Sequence, residues 1–155
     1  MPKKYSRFLL LSGENFDLGD FPYYWITQVH AQSVKKLDHA LKKYGLDNSR
    51  RRILLALKSK PRASVSDLSE MVISKMSTTT KIVYRLKDEG LVETYSCEDD
   101  ARITRVVLTE KGQRMTLKIK DLSNIVLKQS YQGLTPLQIE KMMESLQHIF
   151  KNLSR

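Results

Sequence analysis

The stretch S-V-S-D-L-S-E-M-V-I-S-K-M-S-T-T-T-K-I-V-Y-R-L-K-D-E-G-L-V-E-T-Y, residues 64–95, decides how this chain folds. Ser64 followed by Asp67 resembles a capping box, with Asp where Glu is usual, and starts a short helix. A break at Ile73-Ser74-Lys75 precedes a second helix over 76–89. Its inward face is Met76, Thr79, Ile82 or Val83, and Leu86, and Gly90 stops it. Beyond Gly90 the apolar period drops from helical to two. Leu91–Tyr95 reads as a strand and Ile103–Leu108 as its partner, joined by a polar tip over 96–102.

Helical patterns extend outward on both sides. From Tyr23 to Tyr44, the residues Ile26, Val29, Ser33, Leu37, Ala40 or Leu41, and Tyr44 recur at steps of three and four, up to Gly45. Asp47 or Asn48 caps a further helix through Arg51, Ile53, Leu54 and Leu57, closed by Pro61. Thr109 caps a helix with the stripe Met115, Ile119, Leu122, Ile125 and Val126. Thr135-Pro136-Leu137-Gln138 then starts the last helix, with a cap, a proline at the first position and Gln three residues on. That helix carries Ile139, Met142 or Met143, Leu146, Ile149 or Phe150, and Leu153. Residues 1–21 read as irregular, and the run Phe8–Leu11 is expected to pack on something, such as a partner subunit.

Charge narrows the function. Lys and Arg total 27 against 17 Asp and Glu, a net +10, which attracts polyanions, nucleic acid above all. A single cysteine, Cys97, excludes an internal disulfide and suits a reducing compartment. No apolar run approaches a membrane span. Lys3, Lys4 and Arg7 before Phe8–Leu11 resemble a signal peptide only superficially, so a cytoplasmic location is expected. The chain has no H-E-x-x-H, G-x-S-x-G, P-loop or dinucleotide-binding fingerprint. His30, His39 and His148 are scattered, and His30 and His39 stand nine apart, a poor metal pair. Neither an enzyme nor a cofactor or metal is expected.

Two short helices, a tight turn and a hairpin make a winged helix-turn-helix: a mainly α chain with a small β-hairpin wing. From Leu57 to Gly112 the chain resembles the MarR-type (multiple antibiotic resistance regulator) transcription factors. The matching runs are S-V-S-D-L-S-E-M, S-T-T-T-K-I-V-Y-R-L-K-D-E-G-L-V, D-A-R and V-V-L-T-E-K-G, in order. Three parts are expected: 1–45, an arm and first dimerisation helix; 46–108, the DNA-binding lobe; 109–155, the C-terminal dimerisation helices. The apolar stripes on 23–44, 110–131 and 136–153 exceed what one such domain buries, so a closed two-fold homodimer is expected. The rival is a monomer whose helices fold back on their own lobe.

The helix over 76–89 is expected to turn Lys75, Ser77, Thr78, Lys81, Tyr84 and Arg85 outward. Short hydroxyls allow close approach to the groove, and Lys and Arg bond phosphate or guanine. The plainer reading is a solvated basic face. The resemblance implies an Asp-x-Arg at the wing tip, here Asp100 and Arg102, with Arg102 directed to the minor groove and Asp100 holding it. The plainer reading is a local turn salt bridge. Arg105 is expected to add a phosphate contact. Together these residues suit a pseudo-palindromic operator in double-stranded DNA, with repression and release by a small aromatic acid implied by the resemblance. The rival function is a winged-helix protein-interaction or RNA-binding module.

Tyr24-Trp25-Ile26 and His30 resemble the pocket-lining stretch of members that bind phenolic acids. Those members often carry arginines where this chain has Thr27 and Gln28, a role Arg51 could take. Packing is the preferred reading for Trp25 and His30. Glu98, Asp99 and Asp100 beside Cys97 are expected to raise its thiol pKa and so to disfavour redox sensing.

Overall fold

The computed structural model describes residues 17–155; the Phe8–Leu11 run lies outside the described residues. Helices α1 (Pro22–Leu41), α2 (Asn48–Ser59), α3 (Val65–Met71) and α4 (Met76–Asp88) precede strands β1 (Val92–Ser96) and β2 (Thr104–Leu108). Helices α5 (Glu110–Ser130) and α6 (Pro136–Leu153) follow. The order of these elements is the expected one, except that within the stretch read as irregular a 3₁₀ turn over Leu18–Asp20 precedes α1.

Local signals set the boundaries. Pro22 opens α1, which ends at Leu41 rather than Tyr44. A tighter 3₁₀ turn over Lys42–Tyr44 completes the segment, and Gly45 leaves it at φ +69°, left-handed backbone that glycine adopts freely. Asp47 caps α2, its Oδ1 accepting the Arg50 N–H at 2.9 Å. The capping box of α3 is reciprocal. Ser64 Oγ accepts the Asp67 N–H at 3.0 Å, and Asp67 Oδ2 accepts the Ser64 N–H at 2.9 Å. A second capping box, Thr135 with Gln138, starts α6.

The wing pairs Val92 with Leu108 through Ser96 with Thr104, antiparallel. Ala63 and Ser64 add a third edge, since Val106 N–H donates to the Ala63 carbonyl at 3.0 Å and Ser64 bridges Arg105. This ties the wing to the start of α3.

The core lies inside the lobe. Leu41, Ile53, Leu54, Leu57, Leu68, Leu86, Val92, Val106 and Ile119 are all fully buried there. Burying one such Leu or Ile contributes about 1.5–3 kcal/mol. The C-terminal end of α1 and the first half of α5 cover this core, while the N-terminal half of α1 exposes Tyr23, Trp25, Ile26 and Val29. Against the described residues α6 buries none of its side chains.

Candidate nucleic-acid interface

Helix α4 has two faces. Thr79, Val83 and Leu86 are buried at steps of four and three, anchoring the helix on the lobe. Lys75, Ser77, Thr78, Lys81, Tyr84 and Arg85 are all exposed, as expected from the pattern. Met76 departs from expectation. It is in phase with the buried row, yet it sits at the first helical position, beyond the edge of the core, and is 52% exposed. Its Sδ instead meets Ser69 Oγ–H at 3.2 Å, a contact that links α3 to the start of α4. No side chain caps the N-terminus of α4, where Lys75 is the cap residue. The first N–H groups there are left to an outside acceptor, and the helix dipole favours an anion.

The wing tip is organised by one carboxylate. Asp100 Oδ1 accepts from both the backbone N–H and Nε of Arg102 at 3.0 Å, and Oδ2 accepts from Nη2 at 3.0 Å. The arginine side chain is nevertheless 91% exposed, so its guanidinium is oriented without being covered. Its hydrogen bonds hold the Asp100 carboxyl below the usual range.

The wing and α4 face one another across a cleft of about 630 Å³ lined by Thr80, Tyr84, Arg102, Arg105, Ser66 and Lys60. The wing arginine and Tyr84 of the outward α4 face therefore border one cleft, while Lys75, Ser77, Thr78, Lys81 and Arg85 lie outside its lining. Arg105 is turned inward. Its Nη1 donates to the Arg62 carbonyl at 3.4 Å and lies 3.8 Å from Asp67 Oδ2. Lys60 pairs with Asp67 at 3.0 Å. The Ser64 N–H, then Lys60, draw the Asp67 carboxyl down to about 2.

Three further basic residues escape a sequence reading. Lys60 is the C-cap of α2, just before Pro61. Arg62 takes left-handed backbone, φ +62°, and its Nε donates to Tyr95 Oη at 2.6 Å, with the guanidinium 5.5 Å above that ring. Arg50 is 5% exposed inside the lobe, bonded to the Gly45 carbonyl and to Glu89. Arg85, expected to face outward, also has acidic neighbours. Its Nε lies 3.4 Å from Glu89 Oε1 and its Nη1 3.8 Å from Asp47 Oδ2.

Cys97 corrects an expectation. Its thiol pKa is lowered, chiefly by hydrogen bonds from the backbone N–H groups of Asp99 and Asp100, then by the Arg105 side chain. The acids beside it in sequence present their N–H groups to the sulfur, and these outweigh the opposing effect of desolvation.

The aromatic segment of α1 is open. Trp25 is 54% exposed, its Nε1 donating to the Gly19 carbonyl at 2.8 Å and its ring edge-on to Tyr24 at 5.2 Å. His30 is exposed. Arg51 is half-buried and donates through Nε and Nη2 to Asn48 Oδ1 at 3.2 and 2.7 Å. Burial, then the neighbouring Arg52 charge, pull its pKa below the usual arginine value, against an opposing pull from Asp38. Trp25, His30 and Arg51 line none of the clefts around the wing. Among the described residues no three His, Cys, Asp or Glu side chains converge as metal ligands, and no helix is long and apolar enough to cross a membrane.

Comparison with known proteins agrees with this geometry. The MarR family model matches residues 46–104. The chain is 36% identical over 142 residues to the HTH-type transcriptional repressor IacR of Pseudomonas putida, covering 92% of this chain and 85% of that protein. A MarR family transcriptional regulator from Silicibacter pomeroyi DSS superposes with a TM-score of 0.80 at 28% identity, over 88% of this chain and 93% of that one. CouR from Rhodococcus jostii RHA1, solved bound to p-coumaroyl-CoA, shares the fold with a TM-score of 0.77 at 19% identity, over 86% of this chain and 94% of that one. A winged lobe with an exposed Ser/Thr/Lys helix, and a repressor matched along nearly the whole length, lead to one assignment: this chain belongs to the MarR family of DNA-binding transcriptional regulators.

Proposed function

We propose that the chain is a dimeric repressor that holds a pseudo-palindromic operator in double-stranded DNA and releases it when a small aromatic acid binds. One observation carries the DNA reading: Tyr84 on the exposed face of α4 and an arginine held outward by Asp100 border a single cleft. Lys75, Ser77, Thr78, Lys81, Tyr84 and Arg85 then belong to the major groove, with the uncapped start of α4 on a phosphate. Arg102 reads the minor groove, where its exposed guanidinium meets concentrated negative potential. Asp100 is its positioning residue. Arg105, bonded to the lobe, braces the base of the wing and reaches phosphate only from there.

The division of labour follows the same lines as the sequence: 1–45 and 109–155 for pairing of subunits, 46–108 for DNA. The unburied face of α6, with Leu137, Leu146, Phe150 and Leu153 exposed, supports a second copy as its cover. The effector reading is supported by the bound p-coumaroyl-CoA of CouR and by Arg51, whose desolvated charge an anion would compensate. Trp25 and His30 are its candidate neighbours. We place the protein in the cytoplasm, where its DNA is.

Selection of bound DNA from a random pool, run beside matched RNA and repeated with a panel of phenolic acids, tests the whole reading. Paired half-sites about one helical turn apart are expected, together with loss of binding and a change in Trp25 fluorescence when an acid occupies its site. A pool without shared half-sites, or equal retention of RNA, overturns the DNA reading. No response to any acid overturns the effector reading alone.

A further inference from the structure

Arg50 is a buried cation to which the DNA reading gives no task. It lies in the first turn of α2. Its Nη2 donates to the Gly45 carbonyl, at the junction of α1 and α2, and its Nη1 donates to Glu89 Oε1, on the residue that ends α4. Its Nε stands 3.4 Å from Asp47 Oδ1. Arg85 meets the same two acids from outside, at 3.4 Å from Glu89 Oε1 and 3.8 Å from Asp47 Oδ2. Two arginines thus share two carboxylates. Lys111 also approaches, but it donates to the backbone carbonyl of Glu89 rather than to its carboxylate.

The two arginines are not equivalent. The Arg50 side chain is 7% exposed, and a buried charge deprived of its partners is costly, so it stays. The Arg85 side chain is 61% exposed, and exposed pairs at such distances hold weakly. A DNA phosphate offers Arg85 a stronger, two-pronged bond.

We propose that Arg50 is a positioning residue for Arg85. By neutralising Asp47 and Glu89 from the interior, it leaves the outer arginine free to move onto a phosphate. Without Arg50 the two carboxylates carry two negative charges and Arg85 is their nearest exposed cation, so they retain it. The inference rests on the reading of Arg85 as a DNA contact.

The test is the salt dependence of DNA binding by the full chain, on a fragment it selects from a random pool. Arg85→Gln is expected to lower the slope of log K against log salt by about 0.9 per bound subunit, one lost phosphate contact. Arg50→Met is expected to lower it equally, and the double variant no further. Adding Asp47→Asn and Glu89→Gln to Arg50→Met is expected to restore the slope, because the captors of Arg85 are gone. A merely structural role for Arg50 lowers affinity at every salt concentration and is not rescued this way.

If Arg50→Met fails to fold, Glu89→Gln in the native background serves instead, since Gln keeps an acceptor for Arg50. It is expected to tighten binding about threefold, the size of one exposed ion pair, and only while Arg85 is present. An unchanged slope in Arg50→Met beside a lowered slope in Arg85→Gln overturns the inference alone. So does a Glu89→Gln gain that is absent or that persists without Arg85. An unchanged slope in Arg85→Gln overturns the reading of Arg85 and this inference with it.

Discussion

Ile73 holds a left-handed backbone, φ +51°, while its side chain is 88% exposed. For a β-branched residue that conformation costs about 1–2 kcal/mol, and among the described residues little packs on the side chain to offset it. The turn between α3 and α4 imposes it, through Ile73 N–H to the Glu70 carbonyl at 3.2 Å and Ser74 N–H to the Ser69 carbonyl at 2.9 Å. Ile73→Gly is therefore expected to stabilise the chain by about 1 kcal/mol after the extra unfolded-state entropy of glycine, read as a higher urea midpoint. A lower midpoint would show that Ile73 has a partner worth more than its strain. Gly112 is the opposite case. A Cβ there would meet the Leu91 carbonyl oxygen at 2.0 Å, backbone that cannot step aside. Gly112→Ala is expected to destabilise by about 2 kcal/mol or more in the same titration. Sequence reading could register Gly112 only as part of a motif, because the carbonyl that requires it comes from a segment 21 residues earlier. Cys97 misled for a related reason: its neighbours were read as charges, whereas their N–H groups face the sulfur.

What was legible at the level of elements had its cause within three or four residues. The boxes Ser64–Asp67 and Thr135–Gln138 and the left-handed stop at Gly90 are of that kind. So is the two-faced pattern of α4, although periodicity gives only a direction and cannot tell how deep the facing neighbour lies, as Met76 shows. The Arg50–Glu89 pair spans 39 residues and left no local trace. The α3 box has a pH signature. Asp67 titrates near 2 when folded and near 4 when unfolded, so its contribution is complete above about pH 4 and is lost as pH falls toward 2. Asp67→Asn is expected to flatten the urea midpoint across that acid window and to leave its pH dependence above 5 unchanged; an equally steep acid loss in the variant would assign it to other carboxylates. In the wing, Arg102→Ala is expected to weaken operator binding roughly tenfold or more, the scale of one base-edge or groove contact. Asp100→Ala is expected to cost less, since the guanidinium remains but loses its orientation. Titration of labelled operator DNA measures both, and an Asp100 effect larger than that of Arg102 would contradict the order of roles.

Across the whole molecule, the imbalance lies in where apolar surface is left open. The lobe closes its own core, yet Leu137, Leu146, Phe150 and Leu153 on α6 and Ile26 and Val29 on α1 remain exposed in the single chain. An 18-residue helix with no buried side chain has little to stabilise it in water on its own. The proposed pairing with a second copy would remove that surface from solvent and set two α4 helices on one duplex. Leu146→Asp with Phe150→Asp puts charges into the proposed seam and touches no residue of the lobe core. The native chain is expected to sediment at twice the chain mass and the double variant at the chain mass. Cooperative thermal melting of the lobe, followed by far-ultraviolet circular dichroism, should persist in the variant. Operator affinity should fall by orders of magnitude, because each half-site is then bound independently. The salt slope should drop to about half, since each subunit brings its own set of phosphate contacts. A variant that still sediments at twice the chain mass would move the subunit contact away from α6. A native chain at the chain mass would remove the two-fold arrangement altogether and leave the wing and α4 of a single lobe to account for all operator binding.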